Sequence, residues 1–171
     1  MLLGMDATTR RLVLIRHAKA AEGEVDRERP LAKRGMHEAP EIGRWLAERH
    51  LVPDRVVVSP ALRARRTWER AATGLTGAPE PVEDERVYDN SVAALLAVVR
   101  DTPDGVGTLA VVGHNPGIQE FAISFDDGAG DAAARDDVAG KYATSGVAVF
   151  TVEQPWSRAR TGTLTAFAVP R

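Results

Sequence analysis

The sequence predicts an α/β protein, a three-layer α/β/α sandwich around a mostly parallel sheet. Three observations predict it. Short aliphatic runs, LVLI inside Arg11–Arg16, VVV inside Arg55–Val58 and LAVV inside Thr108–Val112, have strand length and no polar alternation, as strands covered on both faces do. Helical patterns follow these runs, and regular alternation of strand and helix is the mark of a sheet with helices on both sides. The residues with chemical capability gather where the strands end, and doubly wound sheets place their sites beyond the carboxyl ends of the strands.

Taken in order, residues 1–10 read as a frayed lead-in, with Met5 as an alternative start, and 11–171 as a single domain. Arg11–Arg16 is the first buried strand. Ala20–Pro30 is charged and irregular and reads as a mobile loop. Leu31–His50 reads as a helix whose Ala39, Ile42, Trp45 and Leu46 share one face. Pro40 within it implies a kink or a later start, because proline lacks the N–H that helix interiors need. Arg55–Val58 is the second strand. Ser59-Pro60 then reads as N-cap and first residue of a helix running to about Ala72. A third short strand falls at Pro81–Glu83, and a helix at Ser91–Arg100 carries Leu95, Leu96 and Val99 on one side. Thr108–Val112 is the fourth strand, followed by a helix for which Asn115 is the expected cap. Asp126–Gly140, rich in Asp, Gly and Ala, reads as a surface loop. Gly146–Val152 and Thr163–Val169 read as closing strands, with Trp156–Arg160 as a hairpin tip between them.

The composition narrows the chemistry. A chain of 171 residues with a net charge of -2 has no global basic field to attract nucleic acid or an anionic membrane. It has no cysteine, so thiolate nucleophiles, disulfides and zinc–thiolate sites are excluded. No apolar run approaches the ~20 residues that span a bilayer, and the first residues lack a signal-peptide core. The expectation is a cytoplasmic protein.

The strand ends then become informative. The first strand ends at Arg16-His17, the second at Ser59 ahead of Arg63, Arg65 and Arg66, and the fourth at Gly113-His114. Two of the four histidines and several arginines therefore converge on one sheet edge, while His37 and His50 fall on helix surfaces. The planar fork of arginine suits a tetrahedral anion. A neutral histidine among such donors can attack phosphorus. Each piece alone has a plainer reading, as a surface ion pair, a helix cap or a solvated helix face. Their conjunction at successive strand ends carries the argument.

Those residues also carry a resemblance. Leu14-Ile15-Arg16-His17-Ala18, Arg29-Pro30-Leu31 with Gly35, Ser59-Pro60 with Arg63-Ala64 and Thr67, and Val112-Gly113-His114-Asn115-Pro116 together resemble the histidine phosphatase superfamily, the phosphoglycerate mutase-like proteins. Within it they are similar to the small SixA-type phosphohistidine phosphatases, from about residue 11 to the C-terminus. The resemblance implies that His17 is a nucleophile that becomes transiently phosphorylated. It implies that Arg16 and Arg63 bind the phosphoryl oxygens and that His114 donates to the same group. Arg63 is preferred over Arg65 and Arg66 because the family pattern is Ser, three residues, then Arg. No metal or organic cofactor is implied, and the partner is a phosphorylated protein or a small phosphorylated substrate. Two features depart from the pattern. Ala18 stands where the family usually has glycine, and the general acid of the larger members has no secure counterpart. Glu85 and Asp26 are the candidates, and surface solvation is the expected fate of each. A general phosphomonoesterase and a non-catalytic phospho-ligand module are the alternatives on the same fold.

Overall fold

Leu12 and Leu14 of strand β1 (Arg10–Arg16) face one way and Val13 and Ile15 the other, and this alternation divides the core in two. A computed structural model describes residues 9–171. Most of the expected lead-in lies outside the described residues, but Arg10 already belongs to β1.

Five further strands complete one sheet: β2 (Arg55–Val58), β3 (Val82–Glu83), β4 (Thr108–Gly113), β5 (Val147–Val152) and β6 (Thr163–Ala168). Their order is β3-β2-β4-β1-β5-β6. The first four in that order run parallel, β5 is antiparallel beside β1, and β6 pairs antiparallel with β5 at the edge. Helices α1 (Lys33–Glu48) and α2 (Leu62–Ala72) bury Ile42, Leu46, Ala64 and Trp68 with Val13, Ile15, Val56 and Val112 on one face. The other face is covered by α3 (Glu85–Asp89), α4 (Val92–Arg100), α5 (Gly117–Phe125) and α6 (Ala132–Gly140). This is the expected sandwich, with a phosphoglycerate mutase-like arrangement of strands and helices. Among the described residues no helix is long and apolar enough to cross a membrane.

Several local expectations need correction. Pro40 neither kinks nor delays α1, which runs unbroken from Lys33 to Glu48. The Met36 carbonyl, whose usual donor would be the missing N–H of Pro40, accepts instead from Arg70 Nε of α2 at 2.8 Å. The two helices meet closely: a Cβ on Gly43 would stand 1.9 Å from the Ala71 carbonyl oxygen. The segment Ala20–Pro30 is fastened rather than loose. It contains a short 3-10 turn (Asp26–Glu28), and its ends are joined by the Ala20–Leu31 bridge and by Ala21 N–H on the Pro30 carbonyl.

Helix α2 begins at Leu62, not at Ser59-Pro60, because residues 59–61 continue outward from β2 before the chain coils. Likewise α5 begins at Gly117, two residues beyond the Asn115 cap that the sequence suggests. Asn115 still serves the first turn, its Oδ1 accepting from Gln119 N–H. The expected loop at Asp126–Gly140 contains α6, capped by Asp131, whose side chain accepts from Ala134 N–H. Ala134 and Val138, one turn apart, supply its buried face. Trp156 lies in the connection between the antiparallel pair β5 and β6, where the hairpin tip is expected, but its side chain turns inward. It is buried in a second 3-10 turn (Trp156–Arg158), and its indole donates to the Val106 carbonyl.

Candidate active site

Strand register assembles the site. Arg16 pairs with Gly113, and Val58 with Val112, so β1, β2 and β4 end level with one another. The ladder continues past the strands: His17 N–H donates to the Gly113 carbonyl and Ser59 N–H to the Val112 carbonyl. His17 and His114 are thereby carried to the same edge, their rings edge-on with centroids 5.1 Å apart. Both are buried, at 8% and 6% exposure.

The His17 ring is held by its neighbour in sequence. Nδ1 lies 2.7 Å from the Ala18 carbonyl oxygen. A carbonyl only accepts, so Nδ1 carries the proton and the Nε2 lone pair is left available. Ala18 N–H is in turn fixed by Thr67 Oγ1, which donates to the Arg63 carbonyl. Burial pushes the pKa of His17 down to about 4, against the Ala18 hydrogen bond, and the charges of Arg63, Arg16 and Arg29 press in the same direction as burial. Burial, then His17 and Arg63, lower His114 to about 3. Both imidazoles are neutral at pH 7. His114 Nε2 lies 2.8 Å from Ser59 Oγ, and its Nδ1 is buried without a hydrogen-bond partner among the described residues.

The arginines are anchored from different directions. Arg16 donates from one terminal nitrogen to the Tyr142 carbonyl at 2.8 Å, while its Nε is buried with no hydrogen-bond partner among the described residues. Ser145 N–H donates to the carbonyls of Arg16 and His17, tying the segment before β5 to the end of β1. Arg63, 7% exposed, points across to the 3-10 turn and donates to the Asp26 carbonyl at 2.7 Å and to Asp26 Oδ2 at 3.1 Å.

The acid candidates come out differently. Glu85 is exposed and paired with both terminal nitrogens of Arg27. That partner holds its carboxyl below the usual range, which removes it as a proton donor. Asp26 reaches the edge of the site as an anion. A Tyr88 hydroxyl donating at 2.6 Å and the Arg63 guanidinium lower its pKa to about 2. Neither carboxyl group holds a proton at neutral pH.

Four neighbours were not among the sequence candidates for the site. Arg29 bonds Asp26 Oδ1 and the Ala21 carbonyl and adds its charge to the field on His17. Ser59 supports His114, Tyr88 sets its ring edge-on to His114 at 5.7 Å, and the Tyr142 carbonyl receives both Arg16 and Asn115. Arg29 and Ser59 were visible in the recurring motifs. Tyr142 lies within Lys141–Phe150, a stretch over which the family resemblance runs, whereas Tyr88 gives no signal, because it acts through a contact made only in the folded chain. Arg65 and Arg66 are exposed, bonded to the Pro60 carbonyl and to Glu69. His37 and His50 are exposed as expected. Among the described residues no three His, Asp or Glu side chains form a metal-holding group.

The family model described as "Histidine phosphatase superfamily (branch 1)" matches residues 12–92, the stretch that supplies Arg16, His17 and Arg63. The chain belongs to the histidine phosphatase superfamily. It is a hydrolase of the phosphatase class. An uncharacterised protein of Mycobacterium tuberculosis is 37% identical over 163 residues, covering 92% of this chain and all of the relative. The solved structure provisionally named as the phosphohistidine phosphatase SixA of Nakamurella multipartitia superposes with a TM-score of 0.83 at 29% identity, covering 95% of this chain and 96% of that one. Its counterpart from Agrobacterium tumefaciens, also provisionally named SixA, gives 0.79 at 27% identity over 94% and 98% of the two chains. The structural likeness thus extends over both halves of the sheet, including the strands beyond residue 92.

Proposed function

We propose that this phosphatase removes phosphoryl groups from phosphohistidine carried by a partner protein, with His17 as the nucleophile. The observation that carries the reading is the pair of buried, neutral imidazoles at the sheet edge, one of them with Nδ1 committed to a backbone carbonyl. That commitment aims the Nε2 lone pair of His17 at the incoming phosphorus. Arg16, Arg63 and Arg29 supply the charge that a tetrahedral oxyanion requires.

The reaction runs in two displacements. His17 Nε2 forms a bond to phosphorus while the substrate P–N bond breaks, and its electron pair leaves on the departing imidazole, which takes a proton from solvent. Water then attacks the phosphorus on His17, releasing inorganic phosphate and regenerating the neutral ring. Arg16, Arg63 and His114 neutralise the charge that spreads over the oxygens.

The state of the carboxyl groups supports a phosphoramidate over an alkyl phosphate. An alkoxide needs a positioned acid, worth about 10²- to 10⁴-fold, whereas Glu85 and Asp26 are both ionised. A leaving imidazole nitrogen is far less basic and departs without one. The test is to compare, without added metal, a phosphohistidine peptide with an alkyl phosphate ester, using wild type and His17→Ala. Faster P–N cleavage, lost in the variant, and label retained on His17 after an alkaline quench are expected. Faster ester turnover would assign the chain to the general phosphomonoesterases, and turnover independent of His17 would overturn the mechanism.

A further inference from the structure

The two histidines differ in what fixes their protons. His17 faces a carbonyl, so its tautomer has one answer. His114 faces the Ser59 hydroxyl, a group able to donate or accept, and the other ring nitrogen has no partner among the described residues. Ser59 itself decides between the two states. It is fully buried, and its Oγ already accepts from Ala61 N–H at 3.2 Å. A buried hydroxyl proton requires an acceptor. Among the described hydrogen bonds, His114 Nε2 at 2.8 Å is the acceptor within reach.

We propose that Ser59 is a positioning residue: its O–H donates to Nε2 and holds His114 as the neutral tautomer protonated on Nδ1. The opposite tautomer strands two groups at once. The Ser59 proton would have no acceptor, and the Nδ1 lone pair would meet an anionic phosphoryl group as another concentration of negative charge. With Nδ1 protonated, the neutral ring offers the phosphoryl oxygens a donor. Helix α2 begins at Leu62, so Ser59 lies ahead of it; accepting from Ala61 N–H uses an oxygen lone pair and leaves the hydroxyl proton for His114 Nε2.

The inference rests on the proposed role of His114 as a phosphoryl donor and refines it. The test therefore separates tautomer from turnover. Long-range 1H–15N spectra of 15N-labelled wild type at pH 7, with His114 assigned from a His114→Asn spectrum, should show a pyrrole-type Nδ1 and a pyridine-type Nε2. Adding inorganic phosphate should shift Nδ1. Ser59→Ala should populate the Nε2-protonated form and lower kcat about 10²-fold, and Ser59→Thr, which keeps the hydroxyl, should restore both. Wild-type His114 protonated on Nε2, or a tautomer unmoved by Ser59→Ala, would overturn the proposal, and the first of these can be read even if a variant fails to fold. Absence of phosphohistidine turnover in wild type with the Nδ1 tautomer in place would reject the substrate and leave the tautomer assignment standing.

Discussion

Asp26→Asn should tighten the binding of phosphate. Two of the arginines around His17 are already occupied by an internal anion: Asp26 receives Arg63 through its carbonyl and Oδ2, and Arg29 through Oδ1. Phosphate must take the Arg63 fork away from this carboxylate before binding it fully. The Arg63 side chain is 8% exposed and that of Asp26 51%, so solvent screens one partner only. Such a pair is worth about 1 kcal/mol, roughly 5-fold in affinity. Loss of a like charge beside a phosphate dianion acts in the same direction, so about 5- to 10-fold tighter binding is expected. Asparagine has nearly the same shape, and its amide oxygen can still accept from Tyr88. The assay is product inhibition: the Ki of inorganic phosphate against a phosphohistidine peptide should fall by that factor. An unchanged or weaker Ki would refute competition and make Asp26 a support that holds Arg63 in place.

Stability should fall as pH drops from about 6.5 toward 4. His17 and His114 have folded pKa values depressed to about 4 and about 3, so in that window the unfolded chain binds their protons and the folded chain does not. Each contributes about 1.4 kcal/mol per pH unit, and urea denaturation of wild type and His114→Gln across the window should show the slope reduced in the variant. The same depression places the acid limb of kcat/KM for a neutral His17 nucleophile near pH 4 rather than near 6.5, checked by a pH–rate profile. Arg70→Ala removes the side-chain donor to the Met36 carbonyl. Because water can partly replace it, the cost should be about 0.5–1 kcal/mol, read as a Tm lowered by about 2 °C, with no change expected in activity.

The sequence made the sheet legible where apolar runs were continuous, as in Leu12–Ile15 and Leu109–Val112, because burial on both faces leaves a one-dimensional signature. It made the capping turns less legible. Ser59-Pro60 and Asn115-Pro116 both look like helix starts, yet α2 begins two residues after Pro60 and α5 one residue after Pro116, while Ser59 Oγ meets His114 and Asn115 Nδ2 the Tyr142 carbonyl. Helix α6 was hidden by the Asp and Gly around it, although Asp131 three residues before Ala134 is a capping signal. At the site, Arg16, His17, Arg63 and His114 were legible because strand ends order them. The Asp26–Tyr88 contact was not, since it joins residues with no shared periodicity, and ionisation depends on such contacts. An acidic residue in sequence therefore says little about whether it can give up a proton.

The central place of β1 has a consequence for how the protein comes to life on the ribosome. Among the described residues β1 comes first in the chain, and it has β4 on one flank and β5 on the other, both from much later in the chain. His17, the nucleophile we propose, is thus translated well before the Tyr142 carbonyl and the Ser145 amide that hold Arg16 and His17. A truncated or stalled product would carry the His17 imidazole without the frame that aims it.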